Sequence, residues 1–272
     1  MWRVGIYLLL AATAFATAAA DIGVFCRPPE AVEARPVRVV EGTASRAGMV
    51  HVPAGPFVMG ATDKSDQMPV RRLRVPGFWL DKTEVSAKAY DAFLRSRNKP
   101  APQSPLWIGD TLRPEFADHP AYPVRWADAR TYCRAQNKRL PTEVEWEKAA
   151  RGSAGSAFPW GDEFHDRKAN FRHFAGHGDV LSTPVDSLPR GASPYGALHL
   201  AGNVREWTAD QYRADAYKNR RFTIFPPWLK RPHVLRGGSF ATNADQLTGF
   251  HRSHSDIDPQ NRDYGFRCVA DD

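Results

Sequence analysis

Cysteine is scarce in this chain: Cys26, Cys133 and Cys268 are the only three in 272 residues. Three thiols cannot build a four-cysteine zinc site, and no Cys-x-x-Cys spacing occurs. Beyond the N-terminus there is no long apolar run, which excludes a multi-span membrane protein. Internal repeats and low-complexity tracts are also missing, so a collagen-like fibre and a disordered tail are excluded. Charge of one sign is nowhere concentrated. The net charge is +7, yet 37 basic and 30 acidic residues are interspersed. That pattern suits a generally basic surface and not a nucleic-acid partner.

What is present is globular. Hydrophobic residues make up 42% and charged residues 25%, the usual proportions of a folded domain. Glycine (20) and proline (22) together exceed the ~33 that average usage gives at this length. The excess predicts turns and irregular loops instead of a helical bundle. Eight tryptophans and fifteen phenylalanines supply a core, and one domain fits the length.

The first twenty residues predict a secretory signal peptide. Arg3 is their only charge, an apolar run spans Ile6 to Phe15, and Ala18-Ala19-Ala20 precedes Asp21. That is the n-, h- and c-region order of a cleaved segment, and the run is short for a membrane span. The mature chain is therefore expected in a bacterial periplasm or secreted, without a stable span. Residues 21–46 read as a Pro-rich linker, and 47–272 as the folded domain. In an oxidising compartment an isolated cysteine pair tends to join. Cys26 lies in the linker, whereas Cys133 and Cys268 lie in well-patterned segments, so those two are expected to pair.

Short strand-like runs broken by Gly and Pro begin at Met49 and continue through Met59, Val70–Val75 and Phe78–Leu80. Ser86 is placed to cap a helix whose Ala89, Tyr90, Phe93 and Leu94 recur at helical spacing. A second helix is expected from about Trp126 to Gln136. Thr142-Glu143-Val144-Glu145 is a capping box opening a third, with Gly152 as its stop. Helix signals fade after residue 155. The fold class is α+β: a few early helices, then short strands and long loops that need fastening by metal, disulfide or polar networks.

Several blocks, in order, resemble the formylglycine-generating enzyme family, also called the sulfatase-modifying factor family. They include Val52-Pro53-Ala54-Gly55-Pro56-Phe57-Val58-Met59-Gly60 and Arg139-Leu140-Pro141-Thr142-Glu143-Val144-Glu145-Trp146-Glu147. Gly202-Asn203-Val204-Arg205-Glu206-Trp207, Arg236-Gly237-Gly238-Ser239-Phe240 and Gly265-Phe266-Arg267-Cys268 follow. The resemblance spans Met49 to Asp271 and implies an irregular, loop-rich fold like that of the C-type lectins, with Cys133 and Cys268 as the family's disulfide. It also implies two structural calcium sites. One corresponds to Asn170, Phe171, Asp179 and Leu181, the other to the turn Gly202, Asn203, Val204 and Glu206. Such side-chain and carbonyl oxygens are the ligands calcium takes.

The departure from the family lies after the Gly-Gly-Ser motif. Formylglycine-generating members carry two cysteines there that bind copper(I), because soft thiolates select that ion. Here Thr242 and Leu247 stand at those positions, so copper and the family's cysteine oxidation are not expected. Two readings follow. In the first, the domain is a non-catalytic binding or regulatory factor for a protein or peptide partner in the cell envelope, such as a membrane kinase or secretion system. In the second, it is a cysteine-independent oxidoreductase acting on a peptide such as a siderophore precursor, with iron as a possible cofactor. The candidate groove residues are Ser239, Thr242, His251, Arg252 and His254. Iron would need histidines converging with a carboxylate: His251 and His254 with Asp256 or Asp258, or His173 and His177 with Asp179. Arg252 could instead brace Asp256 or Asp263, and Asn243, Asp245 and Gln246 could form a polar rim. Trp146 and Trp207 are expected in the core.

Overall fold

Alternation of apolar residues makes the first strands half-buried. β1 (Met49–Val52), β4 (Phe78–Asp81) and β11 (Val269–Asp271) form a three-stranded antiparallel sheet with β4 in the middle. Phe78 and Leu80 point inward and Trp79 and Asp81 outward, the period-two pattern of a strand with one wet face. β2 (Gly55–Met59) and β3 (Arg71–Val75) pair antiparallel beside it and send Phe57 and Met59 into the same core. These elements belong to a computed structural model that describes residues 46–62, 64–172, 180–219, 232–256 and 263–272. The expected signal peptide, the linker up to Ser45, and His173, His177, Asp179 and Asp258 lie outside the described residues.

The three expected helices are present. In α1 (Ala87–Ser96) the Ser86 hydroxyl accepts from the Ala89 N–H at 3.3 Å, and Ala87, Tyr90, Phe93 and Leu94 are buried. A two-stranded ribbon, β5 (Trp107–Ile108) with β6 (Thr111–Leu112), lies beside α1, and the Trp107 indole donates to Asp91. α2 (Trp126–Ala135) buries Ala129, Tyr132 and Cys133. Tyr90, Phe93, Tyr132 and Phe266 meet with ring centroids 5.2–6.0 Å apart, mostly edge to face, the arrangement that ring quadrupoles favour. The Cys133–Cys268 disulfide passes through this cluster and ties α2 to the segment entering β11.

α3 (Glu143–Arg151) starts on the expected capping box: the Thr142 hydroxyl accepts from Glu145 N–H, and the Glu145 carboxylate accepts from Thr142 N–H. It stops at Gly152, whose φ of +68° is left-handed and suits glycine. Trp146 is buried as expected, and so are Ala149 and Ala150, but also Glu143, Glu147, Lys148 and Arg151. The helix therefore runs through the interior, with charged groups inside.

The second half is short strands on long loops. β7 (Arg205–Gln211) is flanked by β10 (Tyr264–Gly265), parallel to it, and β8 (His233–Arg236), antiparallel. β9 (Ser253–Ser255) completes the sheet order β10-β7-β8-β9. A short α4 (Ala216–Asn219) follows β7. Trp207 and Trp146 are fully buried. Among the described residues no helix is long and apolar enough to cross a membrane.

Candidate functional site

β8 ends in the turn Gly237-Gly238-Ser239, which the family resemblance places at the groove. The Thr242 hydroxyl accepts from Ser239 N–H and donates to the Ser239 carbonyl, both at 2.9 Å. A Cβ placed on Gly238 would lie 2.9 Å from Thr242 Oγ1, from Leu247 Cδ2 and from the Gln246 carbonyl alike. Thr242 and Leu247 therefore converge on one point, capped by a glycine where no side chain would fit. Leu247 is fully buried in a small apolar cluster with Phe158, Ala169 and Ala201.

Ser239 is buried, and its hydroxyl donates to Asp263 Oδ2 at 2.5 Å while accepting from Ala241 N–H. Asp263 also meets the Arg205 guanidinium at 3.3 Å, and Arg205 N–H bonds the Asp263 carbonyl. The Ser239–Asp263 pair was not legible in the sequence, where the two are 24 residues apart. Neither Ser239 nor Thr242 hydrogen-bonds His251. The His251 ring is buried, its Nδ1 has no partner among the described residues, and burial together with the Lys64 and Arg236 charges lowers its pKa to about 4. It is a neutral imidazole at neutral pH.

Arg252 does not brace Asp256 or Asp263. Its guanidinium forks onto Glu143, Nε to Oε1 at 2.6 Å and Nη2 to Oε2 at 3.0 Å, and lies between the Tyr212 and Tyr217 rings. Sequence offered only nearby acids, whereas the partner sits on α3, 109 residues away. The His254 ring stacks on Tyr212 at 3.9 Å.

Arg252 is one end of a buried ionic network centred on α3. Glu147 accepts from Arg151, Gly60 N–H, Arg236 and the Tyr217 hydroxyl at 2.5–2.7 Å. Arg236 also reaches Glu143 and the Gly249 and Phe250 carbonyls. Buried charges persist only when paired and hydrogen-bonded like this. Asp210 adjoins the network and accepts from Glu143 N–H at 2.6 Å. Burial, then the Glu143 charge, raises its pKa to about 7. An acid whose folded pKa exceeds its unfolded value of about 3.9 contributes stability that is complete below the unfolded pKa and lost as pH rises through the folded one. Asp210→Asn keeps the acceptor and removes the titration. The variant is expected to be more stable than the parent at pH 8 and to lose less stability between pH 4 and 8. Equal pH slopes in denaturant melts of the two proteins would contradict the assignment.

Comparison with known proteins decides the family. The model of the sulfatase-modifying factor enzyme 1-like domain matches residues 37–272. The chain belongs to the sulfatase-modifying factor family. It is 34% identical over 242 residues to a serine/threonine-protein kinase, Pkn1, of Chlamydia trachomatis, covering 82% of this chain but only 38% of the kinase. It is 29% identical to mouse formylglycine-generating enzyme, covering 82% of this chain and 75% of that protein. It is 32% identical to a bovine protein named inactive C-alpha-formylglycine-generating enzyme 2, over 84% and 90%. Among solved structures, PvdO of Pseudomonas aeruginosa superposes with a TM-score of 0.66 at 22% identity, covering 81% of this chain and 93% of that one. The last likeness shows the fold alone.

The family's ions can be tested against these residues. Copper(I) does not fit a hydroxyl tied to its own turn and a buried leucine. For calcium the two positions differ. Asn170 Oδ1 is buried without a partner among the described residues, and its amide donates to the Leu181 carbonyl and to Asn203 Oδ1. An orphaned buried oxygen beside Phe171 and Leu181 suits a hard cation. At the Gly202–Glu206 turn, Asn203 Oδ1 already accepts from Asn170 and from Thr183 N–H. Both Glu206 oxygens are taken by Arg267, and Oε2 also by the Trp146 indole. A guanidinium there does the work of a cation, so this turn does not fit calcium. For iron, His251, His254 and Asp256 are not brought together; among the described residues no three His, Cys, Asp or Glu side chains are grouped to hold a metal.

Proposed function

We propose that this family member is a non-catalytic binding or regulatory factor working in the periplasm or outside the cell, on a protein or peptide partner of the envelope. The observation that carries it is the convergence of Thr242 and Leu247 on Gly238: the pocket of the copper thiolates is filled by a hydroxyl bonded to its own turn and by a core leucine. Two relatives support the reading. One is itself named inactive, and another bears a kinase's name while sharing the segment over little more than a third of its length, as an accessory module would. One structural calcium at Asn170, Phe171 and Leu181 fits the loop-rich frame.

The second reading, oxidation of a peptide such as a siderophore precursor, draws on His251, a neutral imidazole with an unpartnered Nδ1 beside the groove. Metal analysis of the mature chain separates the two. The binding reading predicts no stoichiometric iron or copper and no oxidation of a cysteine-containing peptide under oxygen. One equivalent of either metal would favour the oxidoreductase.

A further inference from the structure

Most arginines around the groove are spoken for. Arg236, Arg252 and Arg267 are buried; Arg252 and Arg267 each fork onto one glutamate, and Arg236 bridges Glu143 and Glu147. Two are different. Arg205, at the start of β7, keeps 21% of its side chain exposed, and its one described ion pair is a 3.3 Å contact to Asp263. That carboxylate is already shared with the Ser239 hydroxyl, and the Tyr264 ring backs the guanidinium at 5.8 Å. Among the described residues, a long, single, shared contact engages few of the guanidinium's five donors.

Arg172 is the second. It is exposed, has no ion-pair partner among the described residues, and holds a left-handed φ of +60°. That conformation is uncommon for a residue with a Cβ. It is fixed from the groove side, because Arg172 N–H donates to the Thr242 carbonyl at 3.1 Å. Arg205 is thus tied by its side chain through Asp263 to Ser239, and Arg172 by its backbone N–H to Thr242, at the two ends of one short turn. Exposed Lys64 adds a third positive charge, since its field and that of Arg205 both bear on the His251 ring; Asp245 is the acid that opposes them there.

We infer that this turn is the recognition surface for an acidic peptide segment, with Arg172 and Arg205 taking carboxylates of its Asp or Glu side chains. The inference rests on the binding reading and names its partner's chemistry. Guanidinium–carboxylate pairs of this kind fix orientation as well as adding affinity, and rigid attachment of Arg205 lowers the ordering cost of binding. The general positive charge of the chain would bring any anion near; the two tethered arginines would select where it stays.

The test is fluorescence anisotropy of the full mature chain with three labelled peptides of equal length: alternating Glu and Gly, the same with Gln for Glu, and the same with phosphoserine for Glu. The Glu peptide is expected to bind, to weaken as salt rises, and to exceed the Gln peptide. Arg205→Gln and Arg172→Asn should each weaken it about tenfold, the loss of one charge-assisted contact; asparagine tolerates the left-handed backbone at 172. Arg205→Lys, which keeps the pair with Asp263, guards against misfolding and should restore part of the affinity. Arg72→Gln/Arg74→Gln, on the exposed face of β3, should leave binding unchanged. The proposal is overturned by no binding of the Glu peptide, by equal binding of the Gln peptide, or by equal losses in the β3 control, which would make it bulk charge. A preference for phosphoserine over Glu overturns the carboxylate assignment. None of these results touches the metal analysis that tests the binding reading.

Discussion

Arg267→Met is expected to lose about 3–5 kcal/mol of folding stability, the usual consequence of leaving one partner of a buried ion pair without the other. Both residues are fully buried. Arg267 Nε and Nη2 meet the two Glu206 oxygens at 2.7 Å each, a bidentate fork. Its remaining donors go to the Leu198, Asp81 and Lys82 carbonyls at 2.6, 3.1 and 3.2 Å. One side chain therefore joins β7, the end of β4 and the loop before β7. Methionine fills similar volume but leaves Glu206 with the Trp146 indole alone. With total stabilities of about 5–15 kcal/mol, the variant should be marginal. Arg267→Met/Glu206→Met removes the stranded charge, and its urea midpoint should recover well above that of the single variant. A single variant that unfolds at the parental midpoint would mean that Arg267 does not hold the turn.

Removing the disulfide comes second. Cys133→Ser/Cys268→Ser should lose about 2–5 kcal/mol, towards the upper end, because the bridge closes a separation of 135 residues and restricts the unfolded chain most for long loops. The effect should be reproduced by reducing the parent. The bridge lies inside the cluster of Tyr90, Phe93, Tyr132 and Phe266, so a serine pair would also leave two hydroxyls in an apolar site. Unchanged melting of the double variant, or of the reduced parent, would contradict its role as the fastener between α2 and β11.

Much of this frame could be read along the chain because it depends on local patterns. The Thr142/Glu145 capping box, the Ser86 cap and the strand alternation around Phe78 and Leu80 are written within a few residues of where they act. Trp146 and Trp207 were legible as core by size alone. The groove was less so. Glu143, Glu147 and Arg151 have the composition of a solvated helix face, and only the approach of Arg236 and Arg252 from β8 and the segment before β9 turns that face inward. The same holds for Glu206, which the family resemblance offered as a calcium ligand and which Arg267 occupies. Charged residues look alike in sequence whether their partner is water, an ion or an arginine 61 residues away. The substitution at Thr242 and Leu247 could be read from sequence, but not their convergence on Gly238, which is set by the left-handed turn.

The most direct test of the account is the metal content of residues 21–272, the chain expected after signal cleavage, purified without chelators or an affinity-metal column. The account predicts about one calcium per chain, lost when Asn170 is replaced by alanine, and no stoichiometric copper or iron. One equivalent of copper or iron would contradict the reading of the Thr242–Leu247 site as non-catalytic, and two calcium ions would contradict the assignment of Arg267 as the cation of the Gly202–Glu206 turn.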